Sequence, residues 1–282
     1  MKVGVVGLGL IGGSMARAVK QRTEHQVLGW DARESVMYSA KLVGAVDAFM
    51  EEGKPDECDM VIVALYPQDT IDYIKKNGQR FKKGAVVVDC CGVKGIVCHG
   101  VKETAEQYGF QFVGGHPMAG IEKSGFNYSN AAIFDNATML LTPYPGADLT
   151  MLNDLSFFFR SLGFGKMQVT TPDEHDQMIA YTSQLAHVVS SAYIKNELSS
   201  NFKGFSAGSF QDMTRVAKLN ETMWTELFLD NRENLAKEID GLVERLAGYS
   251  RVIKEGNGEA LKAMLREGKE KRLAVDQDKS FE

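Results

Sequence analysis

Through residue 170, short apolar runs return at intervals along the chain, with mixed polar stretches between them. Lys2–Val6, Gln26–Trp30 and residues 60–65, 85–89, 111–114, 138–142 and 166–170 read as strands. Most of these runs are continuously apolar, as expected for a sheet covered on both faces. Residues 14–22, 69–79 and 95–108 have helical character, so the order is strand, helix, strand, the pattern of an α/β fold with a parallel sheet.

Beyond residue 170 the period changes to three or four. Thr171-Pro-Asp-Glu174 predicts a helix start, with Thr171 as N-cap, Pro172 in the first turn and Glu174 closing a capping box. Met178, Thr182, Leu185, Val189 and Ala192 then recur at helical spacing, while Gln184, His187 and Ser191 fall on another stripe. Leu235, Ile239, Leu242, Leu246, Tyr249 and Ile253 mark a long amphipathic helix. Such a stripe needs a partner, and a second copy of the chain is the expected one.

The first strand runs directly into Gly7-Leu-Gly-Leu-Ile-Gly12 and then a helix. In that setting Gly7 permits the tight turn, Gly9 lets the backbone approach a pyrophosphate, and Gly12 lets helix and strand pack closely. Leu10 and Ile11 lie between them, where the helix N-terminus faces an anion. Asp31 ends the second strand about twenty residues on, the position of a ribose-binding acid. A carboxylate there accepts from ribose hydroxyls and repels a 2′-phosphate, which favours NAD. Arg33 could turn toward such a phosphate, so NADP stays open. Leu65-Tyr-Pro-Gln68 and Asp89-Cys-Cys-Gly-Val-Lys94 follow strand ends, the ligand edge of an open sheet, and are expected on the nicotinamide side. The fold expected is therefore α/β: an N-terminal Rossmann-type nucleotide-binding domain over residues 1–171 and a mostly α-helical C-terminal dimerisation and substrate domain over 172–282.

Composition narrows the partners. At 282 residues, 44% hydrophobic and 24% charged, the chain can bury a substantial core. A formal net charge of -5 and the lack of a basic stripe argue against nucleic acid. No basic-then-apolar leader and no run of membrane-spanning length is present, which predicts a soluble, cytoplasmic protein. Cys58, Cys90, Cys91 and Cys98 lack paired CxxC spacing and read as small buried hydrophobes, with no metal site.

The candidate for proton chemistry is His116, in Gly114-Gly-His-Pro117, read as a glycine-bounded turn at a strand end. An imidazole there can accept a proton near neutral pH. Glu122 and Lys123 follow in a loop. From the residues alone, His187 reads as a core or interface histidine, and Arg215 as either a carboxylate-binding fork or a partner of Asp212. His25, His99 and His175 read as surface or capping residues.

Together these segments resemble the prephenate dehydrogenase (TyrA) family of oxidoreductases. The resemblance runs through Gly7-x-Gly-x-x-Gly12, His116-Pro-Met-Ala-Gly-x-Glu-Lys-Ser-Gly125, Thr171-Pro-Asp-Glu-His-Asp176, Ser183-Gln-Leu-Ala-His187, Asp212-Met-Thr-Arg-Val-Ala217 and Trp224. It implies a homodimer whose active site takes a small cyclohexadienyl substrate and converts prephenate, with NAD, to 4-hydroxyphenylpyruvate. It also implies that His116 accepts the ring hydroxyl proton, that Arg215 grips a carboxylate, that His187 lines the pocket, and that Glu122, Asp212 and Trp224 stand near its entrance or at the subunit boundary. Two positions depart from many relatives, and both belong to the expected substrate site: Gln184 stands where they have histidine, and Gly92 where they have serine. Arogenate, the amino counterpart of prephenate, is the nearest alternative substrate. A β-hydroxyacid-type dehydrogenase using Lys195 and a non-catalytic nucleotide sensor are more distant readings.

Overall fold

A computed structural model describes residues 1–277. Packing divides the chain into two compact units, Met1–Arg232 and a second that begins at Glu233.

The strands of the first unit are β1 (Lys2–Val6), β2 (Gln26–Trp30), β3 (Ala48–Phe49), β4 (Met60–Val63), β5 (Val86–Asp89), β6 (Gln111–Pro117), β7 (Thr138–Pro143) and β8 (Lys166–Val169). Its helices among them are α1 (Leu10–Arg22), α2 (Glu34–Leu42), α3 (Pro67–Asn77), α4 (Gly95–Tyr108) and α5 (Leu149–Ser161). The eight strands form one sheet in the order β3-β2-β1-β4-β5-β6-β7-β8. All neighbours are parallel except β6 and β7. Strand order reverses between β1 and β4, which opens a crevice beside the carboxyl end of β1.

Both faces of the sheet are covered, as the continuous apolar runs predict. Neighbouring residues on a strand point to opposite faces. Val5, Ile62, Val88 and Val113 accordingly join the core with Met15, Phe134 and Phe159, while Val6, Val61, Val63, Val87 and Phe112 join the one with Ile74, Val97 and Val101.

Most boundaries shift by a residue or two, the helix expected over 69–79 running Pro67–Asn77, and two differences bear on the site. The first helix starts at Leu10, not at residue 14, because Gly12 and Gly13 are helical. Their bare backbone is needed for contact: a Cβ at Gly12 would stand 1.8 Å from the Gly7 carbonyl oxygen, and one at Gly13 2.8 Å from the Phe126 ring. His116 lies within β6, paired with Leu140 of β7, and not in a turn. The glycines before it serve close approach, since a Cβ at Gly114 would be 2.2 Å from Thr142 Oγ1 and one at Gly115 2.5 Å from the Asp89 carbonyl.

The rest of the first unit is helical: α6 (Pro172–Ile179), α7 (Leu185–Ile194), α8 (Gly208–Thr214) and α9 (Glu221–Asp230), with a π-helical turn, Ala180–Gln184, joining α6 to α7. Thr171 caps α6 through the predicted capping box, with Pro172 in the first turn. Of the predicted apolar stripe only Leu185 is buried here. Met178 and Thr182 face outward, whereas His175, Asp176, Ile179, Ala180 and Gln184 are buried. Periodicity registers apolar side chains, and this face is largely polar with its hydrogen bonds satisfied internally.

The second unit contains most of α10 (Arg232–Lys254) and all of α11 (Gly258–Gln277). Tyr249 Oη of α10 donates to the Met264 carbonyl of α11 at 3.4 Å. Part of the predicted α10 stripe is uncovered: Leu246 and Ile253 are 57% and 60% exposed. Among the described residues no helix is long and apolar enough to cross a membrane.

Candidate active site

The glycine turn sits at the topological switch point, and its geometry suits a nucleotide pyrophosphate. Gly7 has φ +83°, a conformation that L side chains rarely adopt. Gly9 caps α1 with extended backbone and no side-chain bond to the first turn, which carries no acidic residue. A Cβ at Gly9 would meet nothing within 4 Å, so the space beside the N–H groups of Leu10 and Ile11 is open. Leu65 lies against this turn, its Cδ2 2.7 Å from the position of a Cβ on Gly7. Asp31 is buried at the end of β2, where Oδ2 accepts from Leu8 N at 3.0 Å. Its Oδ1 accepts from Arg33 N at 3.0 Å and Arg33 Nε at 3.2 Å. Arg33 is thus folded onto Asp31.

The parallel register brings the ends of β4, β5 and β6 to the same edge. Asp89 closes β5, fully buried, and forms an ion pair with the equally buried Lys94. The Lys94 ammonium also donates to the Gly115 carbonyl at 2.6 Å, and Gly115 N donates to Asp89 Oδ1 at 3.1 Å. Burial works against the charge on Lys94, but the facing carboxylate outweighs it and raises its pKa, so the ammonium persists. This pair stitches the loop after β5 to the strand that carries His116.

His116 is half-buried, and its Nδ1 lies 2.9 Å from His175 Nε2. On its far side, His175 Nδ1 lies 2.7 Å from Asp176 Oδ1. Burial drives the His116 pKa well below the ordinary imidazole value, helped by His175 and by the Lys94 charge. Burial also lowers His175, against the opposing pull of Asp176. Both shifts favour the neutral form of the rings.

Arg215 follows α8, and its Nη1 donates to Glu122 Oε1 at 2.7 Å, both side chains being largely exposed. This bond ties the helical segment to the loop six residues past His116. His187 lies flat on Trp224 with ring centroids 3.9 Å apart, and its Nδ1 donates to the Ser183 carbonyl at 2.9 Å, which leaves Nε2 as the nitrogen able to meet a ligand. The preceding π-helical turn places that carbonyl, and such turns recur at functional sites.

Gln184 does not match its expected place against substrate. It is 1% exposed, and its amide is committed: Nε2 donates to the Leu227 carbonyl at 3.0 Å and Oε1 accepts from Asn231 Nδ2 at 2.8 Å. A packing role between the π-helical turn and α9 is what these bonds describe. Gly92 faces the same helix, with a Cβ there reaching 3.4 Å from Leu227 Cδ2. The adjacent Cys91 thiol is buried against Thr70 and the Leu65 carbonyl, at 3.3 and 3.5 Å. Burial pushes the thiols of Cys58 and Cys98 up to about 11, so they stay protonated near neutral pH. Among the described residues no cluster of three or more His, Cys, Asp or Glu could hold a metal.

Reasoning from the sequence missed His175 and Asp176 as neighbours of His116, reading His175 as a surface or capping residue; it is 2% exposed. Adjacent residues in the first turns of a capped helix carry no local mark of burial. The available signal was the pairing of an imidazole and a carboxylate inside the motif Thr171-Pro-Asp-Glu-His-Asp176.

The chain is similar to known proteins over nearly its whole length. The chain is 28% identical to a prephenate dehydrogenase of Lactococcus lactis over 98% of its own length and 77% of the relative's. Its fold is similar to that of a prephenate dehydrogenase from A. aeolicus, solved with hydroxyphenyl propionate and NAD+, with TM-score 0.84, 29% identity and 98% of each chain covered. It is similar also to an arogenate dehydrogenase of Synechocystis, with TM-score 0.82, 26% identity, and 98% of this chain and all of that one covered. Residues 15–168 match the family model for the nucleotide-binding domain of prephenate dehydrogenase and residues 171–267 the model for its dimerization domain, and the chain belongs to the prephenate dehydrogenase family.

Proposed function

We propose that this protein is an NAD-dependent prephenate dehydrogenase that converts prephenate to 4-hydroxyphenylpyruvate and carbon dioxide, with His116 as its base. The observation that carries the reading is the placement of a half-buried imidazole, whose burial favours its neutral form, on the sheet edge that also carries the glycine turn. The turn fits the nucleotide: Gly7 and Gly12 let it close tightly, Gly9 leaves space for a pyrophosphate, Leu10 and Ile11 present N–H groups, and Asp31 offers a carboxylate to the ribose. When bound, NAD supplies the two-electron acceptor for the oxidation.

The work of the chain is to orient the substrate and take one proton. His116 Nε2 accepts the proton of the ring hydroxyl as that carbon is oxidised to the carbonyl level, and loss of the ring carboxylate makes the ring aromatic. Arg215 holds a substrate carboxylate in place of Glu122, using the same planar fork. His187, steadied by Trp224 and Ser183, lines the other side. The helical region from Thr171 onward serves substrate binding and homodimer formation, supported by the dimerization-domain match and by the uncovered apolar positions of α10. Four free cysteines suit the reducing cytoplasm.

Appearance of the reduced nicotinamide absorbance on mixing the protein with NAD and prephenate tests the reaction, with arogenate run in parallel because of the similarity to the arogenate enzyme. Faster turnover of arogenate would move the assignment to that substrate, and silence with both would reject it. In the same assay His116→Asn should lower kcat by on the order of 10²-fold or more, with KM changed only a few-fold. Near-normal turnover in that variant would remove His116 from the role of base.

A further inference from the structure

The contacts of His116 decide which of its nitrogens can act as a base. Beginning at the far end, the Asp176 carboxylate is fixed by two backbone donors: Oδ1 accepts from Lys94 N at 2.7 Å and Oδ2 from Gly95 N at 2.8 Å. These N–H groups open α4, a helix of 14 residues, whose N-terminus favours the anion. The Asp176 backbone carbonyl accepts from Asn231 Nδ2 at 2.8 Å.

An ionised carboxylate only accepts hydrogen bonds. At 2.7 Å, His175 Nδ1 must therefore carry the proton it donates to Asp176 Oδ1. A neutral His175 then has its lone pair on Nε2 and can only accept from His116 Nδ1, 2.9 Å away. With its proton on Nδ1, a neutral His116 has its lone pair on Nε2, the nitrogen turned away from His175. Reversing this order would require a protonated Asp176 or a charged His175. The two backbone donors oppose the first. The buried Lys94 ammonium and the burial of His175 itself oppose the second.

We propose that His175 is a positioning residue, held by Asp176, that fixes His116 in the tautomer with the proton on Nδ1 and the lone pair on Nε2. The inference rests on the reading of His116 as the proton acceptor. The geometry uses an imidazole where a carboxylate would give a more direct contact. A carboxylate against His116 would raise its basicity through an adjacent charge. The intervening ring gives the same orientation while keeping that charge one ring away. When Nε2 takes the substrate proton, Nδ1–H stays bonded to His175, and the positive charge on His116 faces a neutral acceptor backed by Asp176. No proton need pass along the chain. The charged groups around the pair are Asp176 on α6, Asp89 at the end of β5 and Lys94 just before α4.

Two-bond 1H–15N correlation of the full chain, with histidine rings labelled, reads the tautomer directly at neutral pH. His116 is expected as the Nδ1–H form, and His175 likewise. His175→Leu should release His116 toward the Nε2–H form and lower kcat on the order of 10²-fold, with NAD affinity and substrate KM changed only a few-fold. His175→Gln, whose Oε1 can accept from His116 Nδ1, should recover most of the lost turnover.

A native His116 found as the Nε2–H form would overturn the proposal, as would His175→Leu with unchanged tautomer and turnover. Equal losses in the Leu and Gln variants with an unchanged tautomer would leave His175 a packing residue only. Should the Leu variant fail to fold, the native spectrum and the Gln variant decide between the two outcomes. Failure of the wild-type protein to oxidise either substrate would reject the functional reading, while the spectrum would still answer the question of the tautomer.

Discussion

The glycines of the nucleotide turn do different jobs, and substitution separates them. Gly12 is a packing glycine, since any Cβ collides with the Gly7 carbonyl, whereas Gly9 borders empty space and has ordinary extended torsions. Gly9→Ala should therefore leave the melting temperature within about 2 °C of the parent while weakening NAD binding at least ~10-fold, because its methyl enters the pyrophosphate space. Gly12→Ala should lower both stability and affinity. Calorimetric melting and NAD titration of the two variants distinguish these outcomes; equal loss of stability in both would contradict the assignment. Local chemistry of this kind was legible: the glycine turn is marked within six residues, and Asp31 by its distance of about twenty residues from it. His175 was not, because its meaning comes from a ring 59 positions earlier in the chain. Nor was the use of Gln184, whose amide could equally have met a ligand or, as it does, α9 and Asn231.

At the scale of elements, α6 is short and carries His175 and Asp176 within its first two turns. Its capping box therefore steadies the very residues that orient His116. Thr171 Oγ1 accepts from Glu174 N at 3.2 Å, and Glu174 Oε2 accepts from Thr171 N at 3.3 Å. Thr171→Ala should cost about 1 kcal/mol, with Thr171→Ser close to the parent. Urea unfolding measures the difference, and an unchanged midpoint in the alanine variant would show that tertiary packing alone holds this end. The helix start was readable because capping is a local hydrogen-bond pattern. Its buried face was not, because the polar residues there are bonded to partners on β6, α4 and α9. Strand identities were likewise clear from apolar runs, but β6 extended further than its run suggested, since glycines read as turn residues served close packing in a strand.

Across the whole molecule, the alternation of strands and helices predicted the α/β class, and the continuous apolar runs predicted a doubly covered sheet. Strand order and the antiparallel pairing of β6 with β7 were beyond it, being set by packing between distant segments. For association, the exposed Leu246 and Ile253 continue a stripe that is covered elsewhere along α10. Sedimentation at micromolar concentration should show a dimer, and replacing both residues with Glu should shift it toward monomer; a wild-type monomer would remove the dimer reading. One feature of the site also bears on how activity returns after denaturation. His116 is on the sheet and His175 on a helix reached only after two further strands and an intervening helix, so their contact is strongly non-local. Loop closure makes such contacts late events in folding. A refolding chain can thus close the bond from Leu8 N to Asp31, over 23 positions, before His116 meets His175, over 59, and recovery of cofactor affinity will run ahead of recovery of turnover.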